Sequence, residues 1–404
     1  MTIETRAVRS DQELATATYV HLRAFGSDPT ADNVARRAIY TQSYPGYALD
    51  HLRVRVVDGE MVSSLRIVDR TLRVGIAEWR LAGVADVSTV PEARQQGHAR
   101  ALLEDALAWM HRQRFDVTAL HGIPDFYDRL GYAVIWPDTY FAIPLDQALA
   151  LTSDHTIRDA TPADIPALSA LYEAVWEMRP GSLARDEAYW RWLLDHRAPL
   201  WAACAPSGEV TGYAGSHEWE PGYIFEMVAA HAAAARALAR HAAAYARDAG
   251  ASQLRVISPR DDPVVGWLRR ACTLTVSEHT EPAGGWMARF IDLPAAITKL
   301  TEELNARLLR SALGDWRGRI TLETNLGVVA LACRYGRVSI ISDPPAGGVT
   351  CRIPQDRLLQ LVLGYRSCAE IASDPDVTIP EAAEAMLQSL FPPQTPYMAG
   401  LDWF

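Results

Sequence analysis

Hydrophobic and polar positions along the chain alternate between two periods, and the changes of period mark out three segments. Near the N-terminus, Leu14, Ala17, Leu22 and Phe25 recur at helical spacing, and 52–57 and 61–68 then alternate as strands. The stretch VSTVPEARQQGHARALLEDALAWM (87–110) changes period within itself. A β-branched run passes through one proline and a Gly-centred polar turn, after which Leu102, Leu103, Ala106, Leu107 and Met110 share a helix face. A further strand is expected over 117–121, and the segment closes on GIPDFYDRLGYAVIWPDTYFAIPL (122–145). The pattern restarts after Thr152. A short strand runs into Thr161, a suitable N-cap, and Pro162, suited to a first helical position. Ile165, Leu168, Leu171 and Val175 follow at helical spacing, and 223–258 then reads as strand, helix and strand again. The repeated order points to an internal duplication. From Arg289 the character changes: a helix carries Leu300, Leu304 and Leu308 on one face, 319–333 and 336–342 alternate like antiparallel strands, and two helices end the segment, the second beginning at Pro380 and Glu381.

The expected fold class is therefore α+β (mixed α/β), divided at 1–150, 151–288 and 289–404. A chain of 404 residues is too long for one ordinary core. No stretch reaches the roughly 18 apolar residues of a membrane span, and the N-terminus lacks the apolar core of a signal peptide. Five scattered cysteines, without CxxC spacing, fit a reducing cytoplasm and argue against a cysteine-based zinc site. A net charge of −10 disfavours nucleic acid and favours cationic partners.

The turn within 87–110 carries the chemistry. The first N–H groups of a helix have no acceptors inside it and lie at the positive end of the macrodipole. Gly97 removes the side chain where a ligand must come close, and Arg94 can add charge. A strand, such a turn and a helix N-terminus together can cradle a diphosphate. The three glycines of a dinucleotide fingerprint are missing, as is the Gly-Lys-Ser/Thr of a P-loop. An ordinary β–α connection with a convenient glycine remains the alternative.

About thirty residues later comes Phe126-Tyr127-Asp128-Arg129-Leu130-Gly131-Tyr132. With this second motif the segment resembles the GNAT family of acetyl-CoA-dependent N-acetyltransferases. The duplication, the third segment, RFIDLPAA (289–296) and the ending FPPQTPYMAGLDWF (391–404) make the whole chain similar to the enhanced intracellular survival proteins. That resemblance implies two GNAT-like domains in tandem, the second degenerate, and a sterol carrier protein-like C-terminal domain. It places coenzyme contacts on Val87, Ser88 and Thr89, on Gln95, Gln96, Gly97, His98, Ala99 and Arg100, and on Gly122 and Ile123. It makes Tyr127 the proton donor and the C-terminal carboxylate of Phe404 the proton acceptor. It also implies a homo-oligomer, a hexamer.

The implied roles are chemically uneven. A phenol near pKa ~10 donates uphill to a thiolate near ~8.5, so Tyr127 is expected to act chiefly by hydrogen-bonding developing charge. A carboxylate near ~3.5 is a weak base unless it is desolvated or works through water, which Trp403 and Phe404 would favour by carrying it into a pocket. Asp28 and Asp32, in the loop after the first helix, and Asp402, in the tail, are candidates for holding a cationic substrate, though each alone reads as a solvated acid. In the duplicated segment the corresponding turn, Val228 to Ala232, has no glycine, and coenzyme binding is expected to be lost there.

The expected function is acetyl-CoA-dependent N-acetylation of small cationic amines, aminoglycoside- or polyamine-like, by direct attack in a ternary complex without a metal. The alternatives are a protein lysine or N-terminal acetyltransferase, and a non-catalytic CoA- or lipid-binding protein.

Overall fold

The computed structural model describes residues 2–197, 199–216, 222–342, 345 and 347–404. Helix α1 (Asp11–Ala24) starts where Ser10 accepts from the Glu13 amide, with acids in its first turn and His21 and Arg23 in its last, matching the macrodipole at both ends. Helix α2 (Ala31–Ser43) follows, capped by Thr30. The sequence pattern missed it: Thr41 is its only buried residue, so no apolar stripe announces it. Asp32 consequently lies in a helical first turn and not in a loop.

Strands β1 (Ile3–Ala7), β2 (Leu52–Val57), β3 (Glu60–Val74), β4 (Ala77–Thr89), β5 (Val117–Gly122) and β6 (Ala133–Val134) build most of the first sheet, with α3 (His98–Arg112) crossing between β4 and β5. The long β3–β4 hairpin carries a bulge: Ser64 faces Ser88 but Arg66 faces Ala85, so β4 holds one extra residue near Asp86, whose φ is +56°. Just before it, after Gly83, β4 and β5 part. Their parallel pairing runs from Leu81–Val117 to Gly83–Ala119 and stops, although both strands continue. The splay opens a slot at the C-terminal end of the sheet, where open α/β sheets place ligands.

Strand β7 (Asp138–Pro144) leaves this sheet. With β8 (Thr156–Asp159), β9 (Leu200–Cys204), β10 (Val210–Ser216), β11 (Tyr223–Ala229), β12 (Gln253–Ile257) and β13 (Thr275–His279) it forms a second one, ordered β13-β7-β12-β11-β10-β9-β8. In return β14 (Gly285–Phe290) enters the first sheet between β5 and β6. The sheets therefore cross the divisions expected at 150 and 288. Alternation shows that a segment is a strand and which face it buries, but does not name the strand it pairs with. The second strand–helix–strand unit is present as β11, a helix over Ala232–Asp248 and β12, with β11 and β12 parallel.

The third segment holds a four-stranded sheet of β15 (Gly318–Thr324), β16 (Gly327–Arg334), β17 (Arg337–Ile341) and β18 (Val349–Arg352). The helix expected before it is two, Leu293–Lys299 and Thr301–Arg310, meeting at Leu300; Leu300, Leu304 and Leu308 are all buried as their spacing requires. This segment shares a core with the first sheet: Trp79, Trp286 and Phe290 join Leu304, Leu358, Phe391 and Met398 in one cluster.

The chain end is packed like core. Met398, Ala399, Leu401 and Asp402 are each at most 2% exposed. Leu401 sits where a Cβ on Gly215 would come within 2.9 Å of it, and the Phe404 ring fills the space beside Gly83, 2.7 Å from where a Cβ would stand. Gly83 is also the last pairing position before β4 and β5 separate. The glycines of two sheets thus form the groove that carries the tail to the splay. Among the described residues, no helix is long and apolar enough to cross a membrane.

Candidate active site

The splay, the turn before α3 and the tail enclose a cleft of about 630 Å³. Its walls include Val87, Ser88 and Thr89 at the end of β4, Gln95, Gly97, His98, Ala99 and Arg100 at the helix start, and Ile123, Tyr127 and Phe404. Residues separated by more than three hundred positions in sequence are thereby brought to one cavity. Gly122 lies underneath, where a Cβ would meet the Tyr127 ring at 2.8 Å. Gln96 does not line the cleft; its side chain turns back to the Glu92 carbonyl at 3.2 Å.

The turn leaves its amides available. Gln95 and Gly97 both take positive φ, +61° and +79°, and α3 starts after its N-cap Gly97 without any side-chain cap. Among the described residues no acceptor engages the N–H groups of Gln95 to Arg100, whereas Ala101 already donates to the Gly97 carbonyl. A helix start inside a cleft without a cap requires an external acceptor, and an anion satisfies both the hydrogen bonds and the dipole. The second unit differs here. His231 caps its helix by accepting from the Ala234 amide, occupying the position an anion would need.

Side chains contribute little charge to the cradle. Arg94 is tied to the carbonyls of Thr89 (3.3 Å) and Ala24 (2.6 Å), bracing the turn against α1, and Arg100 pairs with Glu104 at 2.9 Å. His98 is buried and accepts from Arg55; burial and then Arg55 lower its pKa. Gly97→Val would place a β-branched side chain at positive φ, pointing into open space within the cleft. Coenzyme affinity is expected to fall at least ~10-fold while the fold persists, a loss of roughly 1.4 kcal/mol or more, measurable by calorimetry.

Tyr127 is 7% exposed, held edge-on by Phe126 (4.8 Å) and Tyr132 (6.0 Å). Its hydroxyl makes no hydrogen bond to the described residues. Burial, reinforced by Tyr132, raises its pKa well above the ordinary phenol value. The group is therefore protonated throughout the working range and poor at complete proton transfer.

The acidic candidates fare differently. Asp402 is not a substrate contact: it is fully buried, bound by Arg185 at 3.0 Å and by the Tyr172 hydroxyl at 3.2 Å. The last residues dive into the protein at that point, so the acid anchors the tail. Asp28 is exposed on the α1–α2 loop and does not line the cleft. Asp86 does, at the β4 bulge, but Arg66 (3.0 Å) and Arg37 (2.8 Å) hold its carboxyl well below the usual range.

Sequence reasoning missed Phe25, 63% exposed at the cleft wall, and His121, which enters from the end of β5. Asp138 on β7 reaches His121 Nε2 at 3.3 Å, and Trp286 meets the ring edge-on at 5.3 Å. The signal was a histidine at the C-terminal end of a parallel strand; its acidic partner depends on the strand exchange and was not legible.

Residues 5–135 match the family model described as an acetyltransferase (GNAT) domain. A curated relative, the L-methionine sulfoximine/L-methionine sulfone acetyltransferase of Pseudomonas aeruginosa, is 34% identical over 73 residues, 16% of this chain and 42% of the relative. The chain thus matches 42% of the length of this curated relative. Over its whole length it is similar in fold to a GCN5-related N-acetyltransferase from Kribbella flavida (21% identity, TM-score 0.73, covering 100% of this chain and 98% of that one). It is likewise similar to Eis1 from Mycobacterium abscessus (18% identity, TM-score 0.67, covering 99% and 100%). Residues 5–135, about the first third of the chain, are thus similar to a GNAT acetyltransferase domain.

Proposed function

We propose that the protein is an acetyl-CoA-dependent N-acetyltransferase of the enhanced intracellular survival type, acting on amine groups of small cationic substrates in a ternary complex. It comprises two GNAT-like domains, the second without a coenzyme site, and a sterol carrier protein-like domain that delivers the chain terminus; the active assembly is a cytoplasmic homohexamer. One observation carries this reading: the uncapped start of α3, Tyr127 and Phe404 face a single cleft.

The uncapped amides hold the coenzyme diphosphate, and the β4–β5 splay receives its pantetheine arm as an added strand. The thioester supplies the acetyl group. The substrate amine attacks the carbonyl carbon, forming the C–N bond as the C–S bond breaks. The amine's proton passes to the Phe404 carboxylate, directly or through water, and on to solvent. The Tyr127 hydroxyl hydrogen-bonds the departing sulfur. Because burial raises Tyr127 further above a thiol than an ordinary phenol stands, a hydrogen bond fits this role better than full transfer. His121, held by Asp138, lines the same cleft.

Tyr127→Phe is expected to lower kcat by ~10²-fold or more while leaving KM for acetyl-CoA unchanged, because the hydroxyl acts on charge that develops only in the transition state. In the parent enzyme the rate should show no alkaline decline attributable to a tyrosine near pH 10, since the raised Tyr127 keeps its proton there. Release of CoA thiol, followed across pH with a panel of polyamines, aminoglycosides and lysine peptides, tests both. Turnover within a few-fold in Tyr127→Phe contradicts the assignment, and peptides outcompeting polyamines favour the protein-directed alternative.

A further inference from the structure

A second cavity, of about 370 Å³, lies one helical turn along α3 from the cradle. Arg100 lines both cavities. The second is walled by Glu104 and by the turn after Tyr127, where Arg129 and Gly131 lie, and by Arg289 from β14; Asn325 and Gln355 of the third segment close it. Three guanidinium groups and one carboxylate face it, a net positive site on a chain of net charge −10.

The charges are not neutralised in place. Glu104 is taken by Arg100 at 2.9 Å. Among the described residues, neither Arg129 nor Arg289 meets a carboxylate. Arg289 is half-buried and fixed: Nε donates to the Phe290 carbonyl at 3.2 Å and Nη1 to the Leu130 carbonyl. Its surroundings are fixed as well. Gln355, 2% exposed, accepts from the Phe290 amide at 3.1 Å and donates to the Gly131 carbonyl, while its own amide donates to Asn325 at 2.9 Å. Holding a guanidinium away from water without an acid costs free energy that an incoming anion returns. Burial accordingly lowers the Arg289 pKa.

We propose that this cavity binds the 3′-phosphate of the coenzyme's ribose, with Arg289 and Arg129 as its phosphate ligands. The inference rests on the coenzyme reading above. From Gly97 to Glu104 the helix advances ~10 Å at 1.5 Å per residue, a distance an adenosine can span between its 5′-diphosphate and its 3′-phosphate. Guanidinium groups suit a phosphate monoester because they offer paired donors in one plane. The cradle, poor in side-chain charge, then binds the diphosphate through backbone dipoles, while side-chain charge acts at the other end of the nucleotide. Part of the coenzyme site consequently belongs to β14 and the third segment, outside residues 5–135.

Calorimetric titration of the full chain with CoA and with 3′-dephospho-CoA tests this. The parent protein should bind CoA at least ~10-fold more tightly, as charge-assisted hydrogen bonds to a phosphate predict. Arg129→Gln and Arg289→Gln should each reduce that preference, and the pair should abolish it, with dephospho-CoA affinity unchanged. Arg129 is exposed and makes no hydrogen bond to the described residues, so its substitution cannot act by unfolding. Equal binding of the two ligands by the parent, or a preference that survives both substitutions, overturns the proposal while leaving the coenzyme reading intact. Binding of neither ligand overturns both.

Discussion

Extension of the chain beyond Phe404 by a few residues is expected to abolish acetyl transfer, by ~10²–10⁴-fold or more, while coenzyme binding is preserved. The two effects separate because the diphosphate cradle and the chain end are different parts of the cleft wall. The cradle is backbone between Gln95 and Arg100, whereas Phe404 enters through the groove at Gly83 and sits against Trp286, ring centroids 6.1 Å apart. An added peptide bond converts the terminal carboxylate into a neutral amide and forces more atoms into the splay. An N-terminal extension is the control and should leave the rate unchanged. A companion substitution, Gly83→Ala, places a methyl group where the Phe404 ring lies and should reproduce the loss without altering the terminus chemically.

Replacing Arg185 with Met is expected to produce the largest loss of stability. The guanidinium is fully buried, donates to both oxygens of Asp402 (3.0 Å each) and of Glu226 (3.0 and 2.6 Å), and lies over the Tyr172 ring at 3.9 Å. Tyr213 donates to Glu226, and Arg70 stands 3.7 Å from Asp402. One cation thus joins the second sheet, through Glu226, to the chain end, through Asp402. Removing it strands two carboxylates without solvent, a change that costs ~3–5 kcal/mol. Asp402→Asn should cost less, ~1–3 kcal/mol, because Arg185 keeps Glu226 and the amide keeps part of the hydrogen bonding. Both should lower turnover by releasing the tail, with Arg185→Met the more damaging. Urea denaturation midpoints measure the difference. The reverse order would show that this ion cluster does not anchor the terminus.

Much of the first third of this site was legible because its signals are local. The change of period after Val90, Gly97 at the turn and the aromatic run at Phe126 each depend on neighbours within a few residues, and the structure puts them around one cleft. Thr161 and Pro162 open a helical turn as their residue types implied, and the Thr161 amide donates to the Asp164 carboxylate. Pairings across long separations were not legible. β7 and β14 exchange sheets because sheet register depends on partners more than a hundred residues away. Asp402 illustrates the same limit from the opposite side. As a lone acid near a terminus it reads as solvated, and only the arrival of Arg185 from 217 positions away makes burial tolerable. His121 and Arg289 went unrecognised for a related reason: each gains meaning from a cavity, and a cavity is a property of packed elements.

The most direct test of the account is a crystal structure of the protein with acetyl-CoA. The diphosphate is expected on the N–H groups between Gln95 and Arg100, the thioester sulfur beside the Tyr127 hydroxyl and the Phe404 carboxylate facing the acetyl carbon from across the splay. A coenzyme bound elsewhere, or a diphosphate held by side chains with those amides still unengaged, would contradict it.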